Sequence, residues 1–128
     1  MNTLSSLLNW IGNQFNIVHE SFTITRTSGL TVNSSLSSFV RYGKVVNALI
    51  VVTASSTEIS AGGNIFVGTL TTQKLWPVEN NARLVAYIGQ RPIVCTINTS
   101  GGINVRNTSS TALTLAGDLY LAGTYLIN

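Results

Sequence analysis

The sequence has 128 residues and a mass of 13.7 kDa, which suits one domain of ordinary size and excludes a two-domain enzyme. Only 9% of the residues are charged, against about 25% in an average soluble domain, while 45% are hydrophobic. A chain this apolar is expected to pack rather than stay disordered. Its net charge of +3 comes from scattered bases with no phosphate-binding run, so nucleic-acid binding is not expected.

The N-terminal segment, residues 1–20, carries apolar residues at coiled-coil spacing over two heptads. These residues are Leu4, Leu8, Ile11, Phe15 and Val18. A lone helix of this length is marginal in water, so we expect it either to pack against the same helix of other copies or to fold back on its own domain. The chain shows no secretory signal and no apolar run of about 20 residues, which predicts synthesis in the cytoplasm without membrane insertion.

From residue 21 to residue 128, β-branched residues alternate with polar ones and glycines interrupt the pattern, which indicates one all-β domain. Gly43 predicts a hairpin between strands at 36–42 and 44–54, and the segment 99–102 predicts another between Ile97 and Ile103. Ala-Gly steps at Ala61-Gly62, Ala116-Gly117 and Ala122-Gly123 predict turns. Further strands are expected at residues 64–71, 83–89, 93–98, 103–106, 112–115 and 118–126.

The strand at residues 45–52 is apolar on both of its alternating faces, as in a strand that is covered on two sides. A small sandwich has only one core face, so we expect a neighbouring subunit to cover the other. The longest irregular stretch is 72–82, which contains Trp76. Loops of this kind carry function in many proteins, and we expect the functional loop here.

The residues of catalytic and metal sites are scarce. His19 is the one histidine and lies on the expected helix, whereas Cys95 is the one cysteine and lies in an apolar strand, where a buried thiol is expected. Hydrolysis of a glycoside needs two carboxylates about 5 to 10 Å apart, and the acids outside the helix lie in separate turns. The sequence predicts no enzyme, no metal and no cofactor.

Four segments in order resemble the C-terminal head domains of bacteriophage tail-fibre and receptor-binding proteins. They are residues 39–46 (FVRYGKVV), 59–62 (ISAG), 75–77 (LWP) and 122–127 (AGTYLI). The resemblance covers residues 30–128 and implies an antiparallel β-sandwich or jelly-roll-like head, assembled as a homotrimer on a helical stalk and joined to other tail or baseplate proteins of the virion. It also implies binding of a saccharide on a bacterial host. It transfers no binding residue, because such heads vary most where they bind.

Saccharide sites combine an aromatic ring with a few placed polar groups, and the loop around Trp76 offers such a set. The predicted ligand-binding residues there are Trp76, Glu79, Asn80, Asn81 and Arg83, with Asp118 and Tyr120 as a second candidate site. The leading hypothesis is therefore a non-enzymatic, trimeric head that binds host saccharide. The alternatives are that Trp76 only packs over the end of the sandwich, that the domain is a structural trimerisation cap, or that it is a polysaccharide depolymerase.

Overall fold

The computed structural model describes residues 3–4, 6, 17–26, 30–79, 81–88 and 91–128. Leu8, Ile11 and Phe15 of the expected helix lie outside the described residues. Val18, the last residue of that heptad pattern, lies in a strand that pairs with residues 40–42. Residues 17–19 thus form a strand in place of the expected helix, since pairing with a neighbouring strand outweighs a short helical periodicity.

Thr3, Leu4 and Ser6 are helical, and the other described residues form ten strands, one short 3₁₀ helix and the connections between them. In chain order the strands are β1 Ile17–His19, β2 Ile24–Arg26, β3 Thr31–Val32, β4 Ser38–Tyr42, β5 Val45–Ile59, β6 Asn64–Leu70, β7 Ala82–Ile88, β8 Arg91–Ile97, β9 Gly102–Asn107 and β10 Leu113–Leu126. The 3₁₀ helix is Gln73–Leu75, between β6 and β7.

All these strands belong to one antiparallel sheet, which curls round a hydrophobic core. The hydrogen-bonded order is β1-β4-β5-β10-β7-β8-β9-β6-β2, and β3 pairs with β5. The predicted all-β antiparallel class is confirmed. The predicted sandwich would have two separate sheets, whereas the structure has one continuous sheet. The two parts are joined because β10 pairs with β5 on one side and with β7 on the other.

Two hairpins form where turn chemistry predicts them. Gly43 has a φ of +62° in the two-residue turn between β4 and β5, where Tyr42 pairs with Val45. In the turn between β8 and β9, Gly101 has a φ of +85°, and the side-chain oxygen of Asn98 accepts hydrogen bonds from the backbone N–H of Ser100 and Gly102, each at 2.9 Å.

Two of the Ala-Gly steps are not turns. Leu113–Leu126 is one strand, and its pairing with β5 shifts between Leu115 and Gly117, so the step at 116–117 lies at a β-bulge in which Ser55 and Ser56 of β5 oppose Ala116. The step at 122–123 lies inside the same strand. A Cβ at Gly123 would collide with the carbonyl of Arg83, so glycine there allows β10 to approach β7 closely. Sequence alone does not separate a bulge from a turn, because both use glycine.

The strand β5 is covered unequally on its two faces. Val46, Ala48, Ile50 and Val52 point into the main core. On the other face, which we call the outer face of the sheet, Val51 is buried, Val45 and Leu49 are half-buried, and Asn47 is exposed. The described residues cover the outer face only in part, and its covering by a neighbouring subunit stays a prediction.

The loop after β6 is anchored at several points. Leu75 is fully buried, and its carbonyl accepts a hydrogen bond from the Tyr125 hydroxyl at 2.6 Å. Burial raises the pKa of Tyr125. Glu20 accepts from Arg41 Nε at 2.7 Å and from Lys74 Nζ at 2.6 Å, which joins the N-terminal end of the sheet to the loop. This loop is therefore well tied to the domain.

Candidate functional site

Trp76 is part of the packing of the loop. Its indole N–H donates to the Leu70 carbonyl at 2.7 Å, and the ring packs against the backbone of Gly101, where any Cβ would collide with the indole. The side chain is only partly exposed. These contacts favour the alternative in which Trp76 packs over the end of the core, because the N–H edge of the ring is already occupied.

Trp76 and the described residues predicted beside it line three different depressions. Trp76 lines one of about 300 Å³ together with Gln73 and Asn128. Glu79 and Asn81 line a second, of about 300 Å³, beside Tyr125. Asn81 also reaches a third, which contains Arg83. Asn80 lies outside the described residues. The structure thus brings Asn81 to Glu79 and to Arg83, but it does not bring Trp76 and Arg83 to one depression.

The third depression, of about 350 Å³, holds two arginines, three asparagines and a threonine, and we call it the polar cleft. It is lined by Gly62, Asn64, Asn81, Arg83, Thr96, Asn104 and Arg106. Strand pairing places these residues side by side across four strands: Arg83 on β7 pairs with Thr96 on β8, and Thr96 pairs with Asn104 on β9. On the neighbouring row, Arg106 pairs with Asn64 on β6. The cleft is therefore a feature of the sheet rather than of a loop.

The alternation of each strand puts polar side chains on the outer face at the cleft. On β8, Ile93, Cys95 and Ile97 are fully buried, so Thr96 between them points outward. On β9, Ile103 and Val105 are buried while Asn104 and Arg106 alternate with them. Burial of the apolar residues fixes the register, and the register fixes which polar groups meet.

The polar cleft carries positive charge. Its lining holds two guanidinium groups and no carboxylate. Both ion pairs found within the described parts of the chain belong to Glu20, so neither Arg83 nor Arg106 has a charged partner there. The amide nitrogen of Asn64 lies 3.4 Å from the amide oxygen of Asn104, a weak contact that leaves most of their hydrogen-bonding capacity available. The cleft can donate hydrogen bonds to hydroxyls and to anionic oxygens.

Sequence reasoning found two of the cleft residues, Arg83 and Asn81, and missed Asn64, Thr96, Asn104 and Arg106. All four are polar, and Thr96, Asn104 and Arg106 each lie beside a buried β-branched residue, which is a usable signal for an outward-facing position. What the sequence did not provide was the order of the strands. β6 pairs with β9 rather than with β7, the strand that follows it, and only this pairing brings Asn64 to Arg106.

The second predicted pair, Asp118 and Tyr120, lies on the outer face of β10 and is exposed. The Asp118 carboxylate accepts a hydrogen bond from the Thr53 hydroxyl at 2.7 Å, and Tyr120 pairs with Val51. These two residues therefore share a face with each other, and neither lines the polar cleft.

The groups considered for catalysis lie on different parts of the sheet. His19 is exposed on β1, where it pairs with Val40. Cys95 is fully buried on β8, and burial raises the pKa of its thiol to about 12, which makes it a poor nucleophile. Within residues 17–26, 30–79, 81–88 and 91–128, no three potential metal-ligating side chains cluster. The described part of the chain also holds no helix with the length and hydropathy needed to cross a bilayer.

The fold matches a solved bacteriophage structure. The head domain of phage bIL170, one of the receptor-binding domains of lactococcal phages, has a TM-score of 0.55 to this chain at 16% sequence identity. The match covers 84% of this chain and 98% of that one. The chain has the fold of a phage receptor-binding head. The shared fold confirms the predicted resemblance to the head domains of phage receptor-binding proteins. No protein-family model matches the sequence, and no curated protein matches it.

Proposed function

We propose that this chain is the receptor-binding head of a phage tail and that its polar cleft binds saccharide on the bacterial cell surface. The observation that carries the proposal is the pair of arginines without charged partners, set among three asparagines and a threonine in one cleft. The similarity of the fold to the bIL170 head supports the proposal that this chain is a tail component of a virion and recognises a host.

The chemistry of the cleft suits a saccharide. Sugars present many hydroxyls, and amide groups both donate to and accept from hydroxyls, while a guanidinium presents several donors in a fixed plane. Charge-assisted hydrogen bonds are roughly twice as strong as neutral ones. Because two guanidiniums face the cleft without a counter-charge, a saccharide with an anionic substituent would bind better than its neutral equivalent.

Removing one charge at a time tests this assignment. Arg83→Gln and Arg106→Gln each keep a polar side chain and remove one guanidinium. We expect each to weaken binding to purified cell-wall polysaccharide about tenfold, measured by calorimetry across a panel of Gram-positive strains that includes lactococci. The control is Arg91→Gln, which makes the same change at an exposed position outside the cleft. Equal affinity of all three variants and the wild-type chain would refute the cleft as the binding site.

We also propose that the head binds without cleaving its ligand. Glu79 and Asp118 line different depressions, and Asp118 is hydrogen-bonded to Thr53. The two residues are therefore not arranged as a pair of catalytic carboxylates across the polar cleft. Incubation with polysaccharide should release no new reducing ends. Release that exceeds a buffer control would favour a depolymerase, and absence of any binding would favour a structural cap.

The proposed assembly is a homotrimer, and the outer face offers a surface for it. Ile17, Tyr42, Val45 and Leu126 pair in sequence across β1, β4, β5 and β10, which forms a line of apolar and aromatic side chains. Ile17 is 64% exposed and Leu126 is 58% exposed. A line of this kind beside the N-terminal segment is suited to contact with another copy.

Sedimentation equilibrium tests the assembly directly. We expect a mass about three times 13.7 kDa, and we expect Ile17→Asp with Leu126→Asp to shift it to one chain mass. A matched double substitution of exposed residues away from the line, Ser35→Asp with Thr99→Asp, should leave the mass unchanged. Three identical clefts on one particle would raise avidity by about 10² to 10⁴ when their spacing matches that of the receptor.

A further inference from the structure

Two exposed tyrosines lie on neighbouring strands of the outer face, away from the polar cleft. Tyr87 on β7 is 67% exposed and Tyr120 on β10 is 52% exposed. The two strands pair at Val85 and Ala122, and each tyrosine lies two residues from that pair, so both side chains are on the outer face of neighbouring strands. Large aromatic side chains are mostly buried in a domain, so two exposed tyrosines on one face of the sheet need an explanation.

Polar groups flank this aromatic pair. Asp118 is exposed two residues before Tyr120 on the same face of β10, and its carboxylate is held by the Thr53 hydroxyl at 2.7 Å. Next to Tyr87 lies a depression of about 260 Å³, lined by residues that include Tyr87, Asp118 and Thr114. A ring, an oriented carboxylate and a hydroxyl around this depression form an amphipathic surface rather than a purely apolar one.

We infer that Tyr87, Tyr120 and Asp118 form a second saccharide subsite, the tyrosine shelf, which binds an uncharged sugar ring of the same polymer that occupies the polar cleft. The inference rests on the proposed function. A pyranose ring has an apolar face of C–H groups that stacks on an aromatic ring, and its edge hydroxyls donate to a carboxylate. The shelf thus has the two features that a neutral sugar needs.

The two sites lie on one strand face. Arg83 and Tyr87 are four residues apart on β7, so both point outward and their Cα atoms are separated by about 13 Å. A single extended saccharide chain that runs along β7 can contact both sites at once. Half-buried Val85 lies between them on the same face. The ligand is therefore a chain of several sugar units, charged at one end of this path and neutral at the other.

A second copy of the protein suits the tyrosine shelf less well than a sugar does. Together the two rings expose about 250 Å², whereas a specific protein interface buries about 800 Å² on each partner. A sugar hydroxyl supplies the donor that the Asp118 carboxylate needs.

The test uses the 128-residue chain and cell-wall polysaccharide that it binds, partially hydrolysed and separated into fragments of increasing length. Wild-type affinity should rise with fragment length until one fragment spans both sites. Tyr87→Ala and Tyr120→Ala should each abolish that rise and weaken the longest fragments about tenfold, while the shortest anionic fragments bind as before. Tyr87→Phe keeps the ring and should retain the rise, which also controls for loss of fold.

The outcomes separate this inference from the proposed function. If Arg83→Gln weakens every fragment but Tyr87→Ala and Tyr120→Ala weaken none, the tyrosine shelf is refuted and the cleft stands. If Arg83→Gln and Arg106→Gln have no effect, the proposed function fails first. If Tyr87→Ala lowers the sedimentation mass instead of the affinity, the tyrosines are a contact between copies and the inference is overturned.

Discussion

The indole N–H of Trp76 donates a hydrogen bond to the carbonyl of Leu70 at 2.7 Å, so the most conspicuous aromatic residue of the long loop is part of the packing of the domain. We expect Trp76→Ala to lower the free energy of unfolding by about 3 kcal/mol, because it removes a large packed side chain and leaves the carbonyl without its partner. Urea unfolding measures this.

The matched variant is Trp76→Phe, which keeps most of the ring and loses the N–H donor. It should cost about 1 kcal/mol. Both variants should bind polysaccharide with wild-type affinity under conditions in which they are folded. A loss of binding by folded Trp76→Ala, with unfolding free energy unchanged, would restore Trp76 as a ligand residue and contradict this interpretation.

Two turn glycines are expected to differ in their tolerance of a side chain. Gly101 and Gly43 both have positive φ, but a Cβ at Gly101 would collide with the Leu70 carbonyl and the Trp76 indole, whereas nothing lies within 4 Å of a Cβ at Gly43. Gly43→Ala should cost about 1 kcal/mol from backbone strain alone. Gly101→Ala should cost roughly 3 kcal/mol or more, because the collision adds to the strain. Equal costs in urea unfolding would mean that Trp76 does not pack on this turn.

The positions of these turns were predictable from sequence, whereas the assembled site was not. The turns at Gly43 and Asn98 can be predicted because few residues other than glycine adopt positive φ and because asparagine side chains cap such turns. Gly117 lies at a β-bulge and Gly123 at a close approach of two strands, so glycine marks no turn at either position. Only the pairing with the partner strand shows which of these roles a glycine has. The polar cleft depends on β6 lying beside β9, a pairing of strands far apart in sequence that composition and alternation do not encode.

Glu20 should make the stability of the domain depend on pH. Its side chain is 6% exposed, and hydrogen bonds from Lys74 and Arg41 hold the pKa of its carboxyl below the usual value near 4.5. The ionised form is therefore favoured by folding. The resulting stability is fully present above about pH 4.5 and is lost as pH falls through the lowered pKa of the folded state.

Urea unfolding at a series of pH values tests this contribution. Glu20→Gln should lower stability at pH 7 and should flatten the decline below about pH 4.5. Glu58→Gln is the matched control, since Glu58 is exposed and has no ion pair within the described residues. Parallel pH profiles for the wild-type chain and Glu20→Gln would show that the two ion pairs contribute nothing to folding.

Cys95 offers a probe of global unfolding. Because burial raises the pKa of its thiol to about 12, the group is protonated and inaccessible in the folded chain at pH 8. Alkylation by iodoacetamide should be slow in buffer and fast in urea above the unfolding midpoint. Fast alkylation of the folded chain would indicate that β8 opens locally, which the fully buried positions of Ile93 and Ile97 on the same strand argue against.

The central claim, that the polar cleft binds saccharide, is tested most directly by an NMR titration of the isotope-labelled chain with purified cell-wall oligosaccharide. We expect chemical-shift changes concentrated at Arg83, Thr96, Asn104 and Arg106, with saturation at a defined ratio of ligand to protein. Changes centred on Trp76 and Gln73 instead, with the four cleft residues unmoved by an oligosaccharide that binds, would contradict it.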